Sequence, residues 1–313
     1  MADLILHHFP ASPFSEKIRL ILGFKGLAWK SVTVPMMMPK PNVVALTGGY
    51  RKTPFLQIGA DVYCDTALIA EVLERIEPAP SLFPAQGAGL ANTLAQWADS
   101  TLFWAAIRFN RGIKGSGQTI GGVAPEIVKA LLEDRKAMGF DVEWVRPADA
   151  ATPLQAYLLR LTEILGEKLY LLGAEPCIAD FAAVHSLWYL YARPGAAMSL
   201  AQVDRQLQGW INRMVAIGHG IREEIDSDRS IEIATRSQPL PLDQGLLKVD
   251  GFADSHGIAL GSRVAISAEI FGLEPTEGEL IAASSTHYSL RRTDASAGTI
   301  HVHFPRIGYV LKN

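Results

Sequence analysis

The stretch TPFLQIGADVYCDT, residues 53–66, holds a hairpin and a helix start in one short run. Pro54 opens a strand, a position where the missing N–H costs no ladder bond. Residues 54–58 and 62–64 are apolar runs on either side of the turn 59–61, the pattern of a β-hairpin. TALIAEVLERIE, residues 66–77, then spaces its apolar side chains along one helical face. An acid and a hydroxyl, Asp65 and Thr66, stand where hairpin meets helix. Either residue can cap a helix. Together they also offer a carboxylate for an ammonium, and a hydroxyl with free helix N–H groups for a carboxylate, which is what an amino-acid head group requires.

Upstream, DLILHHF (3–9) reads as a short apolar strand. Ser12-Pro13-Phe14-Ser15 opens a helix carrying Ile18, Leu20, Ile21, Leu22 and Phe24, with proline in the first turn and serine as cap. WKSVTV (29–34) alternates as a strand, MMMPKPN (36–42) is a loop, and a short helix around 43–46 ends at Gly48-Gly49. The order is βαβαββα. PAPSLFPAQGAG (78–89) has the proline and glycine density of a linker. Helical patterns follow at 90–111, 124–138, 153–166, 179–192 and 199–215. DSDRS (226–230) and RSQPLPLDQG (236–245) read as a second linker. Beyond it, residues 246–250, 262–270, 278–291 and 299–311 are candidate strands. RVAISAEI (263–270) and TIHVHF (299–304) alternate apolar with more polar positions, as antiparallel strands over one core do. Such strands are expected to close into a small barrel or to dock on the helical block, because long bare edges invite association. On that reading the extension contributes little to chemistry, and a chain cut near Ser237 stays soluble and keeps its ligand.

Of the 313 residues, 49% are hydrophobic and 19% charged, with a formal charge of −3. That balance suits a soluble globular protein and gives no footprint for nucleic acid or an anionic membrane. No apolar run reaches the roughly 18–20 residues of a membrane-spanning helix. The N-terminus lacks the basic segment and long apolar run of a signal peptide. Two cysteines, Cys64 and Cys177, fit a reducing compartment, so the cytoplasm is expected.

Ser12 sits where helix amides favour negative charge, so it is either a plain N-cap or a group that holds a thiolate. Thr53-Pro54, if cis, turns the Thr53 backbone outward as a short edge for an extended ligand; trans, it is only a strand start. Lys40, Arg51 and Lys52 lie near it in sequence and can clamp a carboxylate or be solvated surface. GSGQTIGG (115–122) follows a helix and lacks the Lys-Ser/Thr of a phosphate loop, so it reads as a connection. Met36, Met37 and Met38 read as apolar gap-filling, and Cys64 as inert. His301 and His303 share a strand face and can meet His287, a set with metal-ligand chemistry, but a solvated face is the expectation.

Together, PASPFSEKIRLIL (10–22), YRKTPFLQIGADVYCDTALIAEVLE (50–74) and the helical block resemble the cytosolic glutathione transferases, over residues 3 to about 215. The resemblance implies a thioredoxin-like α/β domain over 1–80 and an all-α domain over 88–222. To these the strand pattern adds a small antiparallel, barrel-like β domain over 240–313 with no counterpart in that family. LYLLGAEPCIADFAAVHSLWYL (169–190) is similar to the family's buried capping box, with Cys177 in the place of the usual Ser or Thr and Asp180 retained. The resemblance implies that Thr53 and Pro54 hold the cysteinyl part of glutathione, that Asp65 and Thr66 hold its γ-glutamyl end, and that Lys40 and Lys52 assist. It selects Ser12 as the catalytic hydroxyl, with Ser15 as runner-up. No cysteine lies near Ser12, and His8-Phe9 stands where a tyrosine-type enzyme carries its tyrosine. The electrophile is expected against Phe103, Trp104, Arg108 and Phe109, which makes an apolar co-substrate the expectation; core packing accounts for these aromatics equally well. The implied protein is a homodimeric transferase of the serine type, using glutathione and no metal, nucleic acid or membrane. The competing reading is a protein of the same fold that binds ligand or partner without turnover, and a third is a pure scaffold that binds no thiol.

Overall fold

A computed structural model describes residues 3–114, 125–139, 146–194, 196, 198–247 and 256–313. The glycine-rich connection 115–122 lies outside the described residues. The first domain runs β1 (Leu4–His8), α1 (Pro13–Phe24), β2 (Ala28–Thr33), α2 (Pro41–Thr47), β3 (Phe55–Ile58), β4 (Asp61–Cys64) and α3 (Thr66–Ile76). β1 pairs in parallel with β2 and antiparallel with β3, and β3 pairs antiparallel with β4. This is the expected thioredoxin-like order. The Thr53–Pro54 bond is cis, as are Met38–Pro39 and Ala79–Pro80.

The helical block comprises α4 (Ala88–Trp97), α5 (Phe103–Lys114), α6 (Pro125–Ala137), α7 (Pro147–Leu165), α8 (Ile178–Leu187) and α9 (Arg205–Ala216). A π-helical turn, Ala98–Leu102, joins α4 to α5, and another, Trp188–Ala192, extends α8. α8 is buried along its whole length and has apolar residues all round. Its start is fixed by Asp180, which accepts from the Cys177 amide at 3.0 Å, the Leu171 amide at 2.8 Å and Trp210 Nε1 at 2.8 Å. Burial pushes the Cys177 thiol up to about 12, with Asp180 beside it adding to the effect, so it is no nucleophile.

The expected linker after residue 222 is structured. β5 (Ile221–Glu224) adds to β2 in parallel, and α10 (Ser227–Arg236) follows. Asp226 caps α10 by accepting from the Arg229 amide at 2.7 Å. The Gln57 amide donates to Ser230 O at 2.9 Å and so ties α10 to β3.

The extension departs further from expectation. Two of the long candidate strands are each broken into two; the halves of the first pair as a hairpin, while the halves of the second pair with different strands. Residues 278–291 divide into β7 (Thr276–Ala283) and β8 (His287–Asp294); residues 299–311 divide into β9 (Gly298–Pro305) and β10 (Tyr309–Lys312), turning at Gly308 with φ 84°. β6 (Arg263–Ala268) matches its expected range, whereas Leu246 and Leu247 lie in a bend and 248–250 fall outside the described residues. β10 returns to pair with β6, the first strand of the extension, as a barrel-like domain requires, although β9 and β10 share no ladder. β9 pairs in parallel with β4, and the whole chain forms one open sheet in the order β10-β6-β7-β8-β9-β4-β3-β1-β2-β5. Four strands separate β4 from β10 in that order, yet Tyr309 of β10 returns to Tyr50, with ring centroids 6.5 Å apart. The ribbon therefore curls over the first domain.

Two apolar cores result. On one sheet face Leu6, Leu56 and Tyr63 pack with α1, α3 and the helical block. On the other, Tyr50, Phe55, Val62 and Cys64 share a core with Val264, Ile266, Leu290, Val302 and Phe304 of the extension. The approach is close at Gly49, where an added Cβ would stand 2.0 Å from Pro275 O. The extension thus shares a core with the first domain, where a separate compact body was expected. The alternation of β9 does set His301 and His303 on its polar side. That side is not solvated, because Asp61 and Tyr63 share it and residues 240–247 cross over it.

Candidate functional site

α1 begins with Ser12 as N-cap and Pro13 at the first helical position. Ser12 Oγ accepts from the Ser15 amide at 3.2 Å and is half-buried. Ser15 is fully buried, and its Oγ accepts from the Phe9 amide at 3.3 Å. That bond fastens the end of β1 to α1, so the runner-up hydroxyl is committed to the backbone and Ser12 remains the accessible one. His8 is buried between Ser31 Oγ (2.8 Å) and Arg19 Nη1 (3.0 Å). Burial, with the Arg19 charge next to it, pushes its imidazole down to about 3.

Asp65 is the one non-glycine residue with positive φ among those described, at 77°. An aspartate held there carries a local cost on the order of 1–3 kcal/mol, and such residues cluster at ligand clamps. The surroundings enforce it. The Asp65 amide donates to Tyr50 Oη at 3.2 Å, Oδ1 accepts from the Ala67 amide at 3.0 Å, and Oδ2 accepts from Tyr309 Oη at 3.0 Å. Burial, with the Asp65 charge adding to it, raises both tyrosines well above their ordinary range, so they act as neutral hydroxyls. Thr66 is turned inward. Its hydroxyl accepts from Lys17 Nζ at 3.1 Å, and Lys17 also pairs with Asp99 at 2.5 Å. Asp99 lies on the π-helical turn and accepts from His185 Nε2 at 2.9 Å. This buried Lys17–Asp99–His185 network locks α1 and α3 to the helical block. The sequence reading missed it; a π-turn has no residue signature, and the three residues lie far apart in the chain.

The structure redistributes the expected cations. Arg51 pairs with Asp134 at 2.6 Å and with Glu274 of the extension at 2.5 Å. Lys40 is buried and donates to Arg51 O at 3.3 Å; burial lowers its ammonium to about 8. Lys52 Nζ stands 5.3 Å from the Tyr50 ring centre and 4.8 Å from that of Tyr309. None of the three is a solvated surface cation.

The aromatics separate into two groups. Phe103 packs on Phe14 of α1 at 4.7 Å, Trp104 is 5.1 Å from Phe103, and Phe271 of the extension meets Trp104 at 5.9 Å. Arg108 is exposed, and Phe109 packs into the helical core. The start of α5 therefore stands beside the start of α1, while the next turn of α5 leads away. Phe271, Glu274 and Tyr309 of the extension meet Trp104, Arg51 and Asp65 in this region.

The thioredoxin-like sheet agrees with the comparisons to known proteins. A family profile described as "Glutathione S-transferase, N-terminal domain" matches residues 6–81. A GST-like protein from Pseudomonas syringae superposes with a TM-score of 0.79 at 38% identity, over 100% of both chains. This chain belongs to the GST-like family. The likeness to the Pseudomonas syringae protein spans the extension. FtsZ-localized protein A of Caulobacter vibrioides is 28% identical over 188 residues, which are 58% of this chain and 75% of that protein. The theta class glutathione S-transferase of Xanthomonas axonopodis pv. citri, solved with glutathione bound, shares the fold at 21% identity and a TM-score of 0.50, over 68% of this chain and 92% of that one.

Proposed function

We propose that this GST-like chain binds glutathione where α1, β3 and α3 meet, and presents it as a thiolate to an apolar electrophile. Asp65 carries the proposal: a carboxylate held at positive φ on a helix N-terminus, with its orientation set by two tyrosines. A carboxylate has about four acceptor positions, and the bonds from Ala67 and Tyr309 use two, which leaves room for the γ-glutamyl ammonium. The Thr53 backbone pairs with the cysteinyl unit. The thiol then lies toward Ser12, whose hydroxyl and the α1 amides favour the thiolate. Phe14, Phe103 and Trp104 form an apolar wall for the second substrate. In the reaction the sulfur lone pair forms the new S–C bond, the leaving group departs with its electron pair, and the thiol proton has already passed to solvent.

Asp65→Ala is expected to weaken glutathione binding by about 1–3 kcal/mol, the scale of a charged hydrogen bond. Tyr309→Phe should cost about 1 kcal/mol by freeing that carboxylate to turn. Calorimetric titration checks both, and unchanged affinity in a folded Asp65→Ala variant sinks the assignment. Ser12→Ala should leave affinity intact and raise the pKa of the bound thiol, read from thiolate absorbance. The cytoplasmic location and the homodimer belong to the same proposal, and sedimentation tests the latter.

One observation favours binding without turnover as a second reading. Phe271, Glu274 and Tyr309 bring the extension against the site, and the relation to FtsZ-localized protein A supports a protein partner. Tight glutathione binding with no conjugation across a panel of apolar electrophiles would decide for it.

A further inference from the structure

The junction between β4 and β9 holds a cluster outside the glutathione region. Asp61 pairs with His301 and Tyr63 with His303 across the parallel ladder, so all four side chains leave the same sheet face. Asp61 Oδ1 lies 3.1 Å from His303 Nε2 and 3.6 Å from His301 Nδ1, and the three ligand atoms fall within 4.8 Å of one another. Bonds of about 2.0–2.1 Å place neighbouring ligands of a tetrahedral or octahedral ion about 3.0–3.4 Å apart, close to the two separations from Asp61. Two imidazoles and one carboxylate suit a first-row divalent cation, with coordination positions to spare.

The supporting contacts are already built. Asp61 Oδ2 accepts from the Leu240 amide at 2.8 Å, which leaves Oδ1 directed at the histidines. His303 Nδ1 bonds Ser289 Oγ at 2.7 Å, and its ring stacks on Tyr63 at 4.7 Å. A hydroxyl on Nδ1 fixes the ring and leaves Nε2 as the ligand atom, the usual arrangement around a metal-bound histidine. His301 Nδ1 is a buried nitrogen with no hydrogen-bond partner, while the His301 side chain is 12% exposed, which gives an entry path. A cavity of about 10 Å³ adjoins Asp61 and His303 beneath Leu240 and Leu247, the size of one small ion or water.

From this geometry we infer that Asp61, His301 and His303 form a divalent metal site, Zn²⁺ by chemistry, that clips the extension to the first domain. It is independent of the glutathione reading, because none of its residues serves that site. The test is to strip the purified full chain with a chelator and titrate Zn²⁺, then Co²⁺, following heat, visible d–d absorption and the thermal midpoint. One equivalent is expected, with a raised midpoint and the spectrum of a four- or five-coordinate Co²⁺ site. His301→Ala removes the partly exposed ligand, so it should fold and bind about tenfold more weakly or worse, without the midpoint shift. His303→Ala repeats the test from the buried side. Absence of stoichiometric binding to the wild-type chain, or equal binding and an equal midpoint shift in a folded His301→Ala variant, overturns the inference. In that case Asp61–His303–Ser289 is a hydrogen-bond relay that serves packing alone.

Discussion

A chain ending at Ser237 is expected not to fold. Removing residues 238–313 strips Val264, Ile266, Leu290, Val302 and Phe304 from a core they share with Tyr50, Phe55, Val62 and Cys64. Each large apolar side chain returned to water costs about 1.5–3 kcal/mol. Three or four of them match the whole net stability of a typical domain, about 5–15 kcal/mol. The cut also bares the β4 edge, whose β9 partner is gone, with Val62 and Cys64 beside it. An apolar free edge of this kind templates aggregation. Expression of the truncated chain should therefore yield aggregate or a molten species, seen by gel filtration and near-ultraviolet dichroism. A monomeric truncation with a cooperative unfolding transition would refute the shared core. A folded truncation that merely lost glutathione would instead confine the extension's role to Tyr309 and Glu274.

Acid should destabilise the protein well before its carboxylates titrate. His7 is buried, bonded to Gln57 Oε1 at 2.8 Å and stacked on Phe55 at 4.2 Å; burial holds it at about 4. Its neighbour His8 is held at about 3 by burial and then by Arg19. Both start from an unfolded value near 6.5, so the unfolded chain binds more protons between pH 6.5 and 4. Stability is complete above pH 6.5 and falls as pH drops, by about 1.4 kcal/mol per pH unit for each histidine. The loss is about 4 kcal/mol for the pair at pH 5. His185, also lowered by burial, acts in the same direction. Urea unfolding at pH 7, 6 and 5 measures the slope. His7→Gln keeps a polar group in place without a titration and should remove roughly half of the pair's contribution. A midpoint constant from pH 7 to 5 would show that both histidines are charged or solvated in the folded state.

Much of the first domain was legible because its signals are local. Ser12-Pro13 and Asp65-Thr66 mark helix starts by cap chemistry that acts over three or four residues. The turn 59–61 fixes its hairpin by neighbouring backbone alone. The helical block was legible through 3.6-residue periodicity, although its boundaries moved by one to six residues, as at α7 and α9. The extension's strand breaks were less legible. Ser284, Ser285 and Thr286 interrupt β7 and β8 without a glycine or proline to announce a turn, and Gly308 was passed over within an apolar run. α10 was hidden in a charged stretch that read as solvated linker, because only Ser230 and Ala234 of that helix are buried.

The sequence by itself determined the helices and strands of the first domain and most helices of the helical block, the thioredoxin-like order, and the cap residues at the starts of α1 and α3. These follow from periodicity and from hydrogen bonds that a residue makes with its near neighbours. Tertiary structure alone decided that β9 continues the sheet at β4, that Tyr309 orients Asp65 from 244 residues away, and that the polar face of β9 is covered. Alternation says that two faces of a strand differ, not what each face meets. His301 and His303 have the pattern of a solvated face, yet His303 is buried against Asp61 and His301 largely covered beside it, because the strand next to them belongs to another part of the chain.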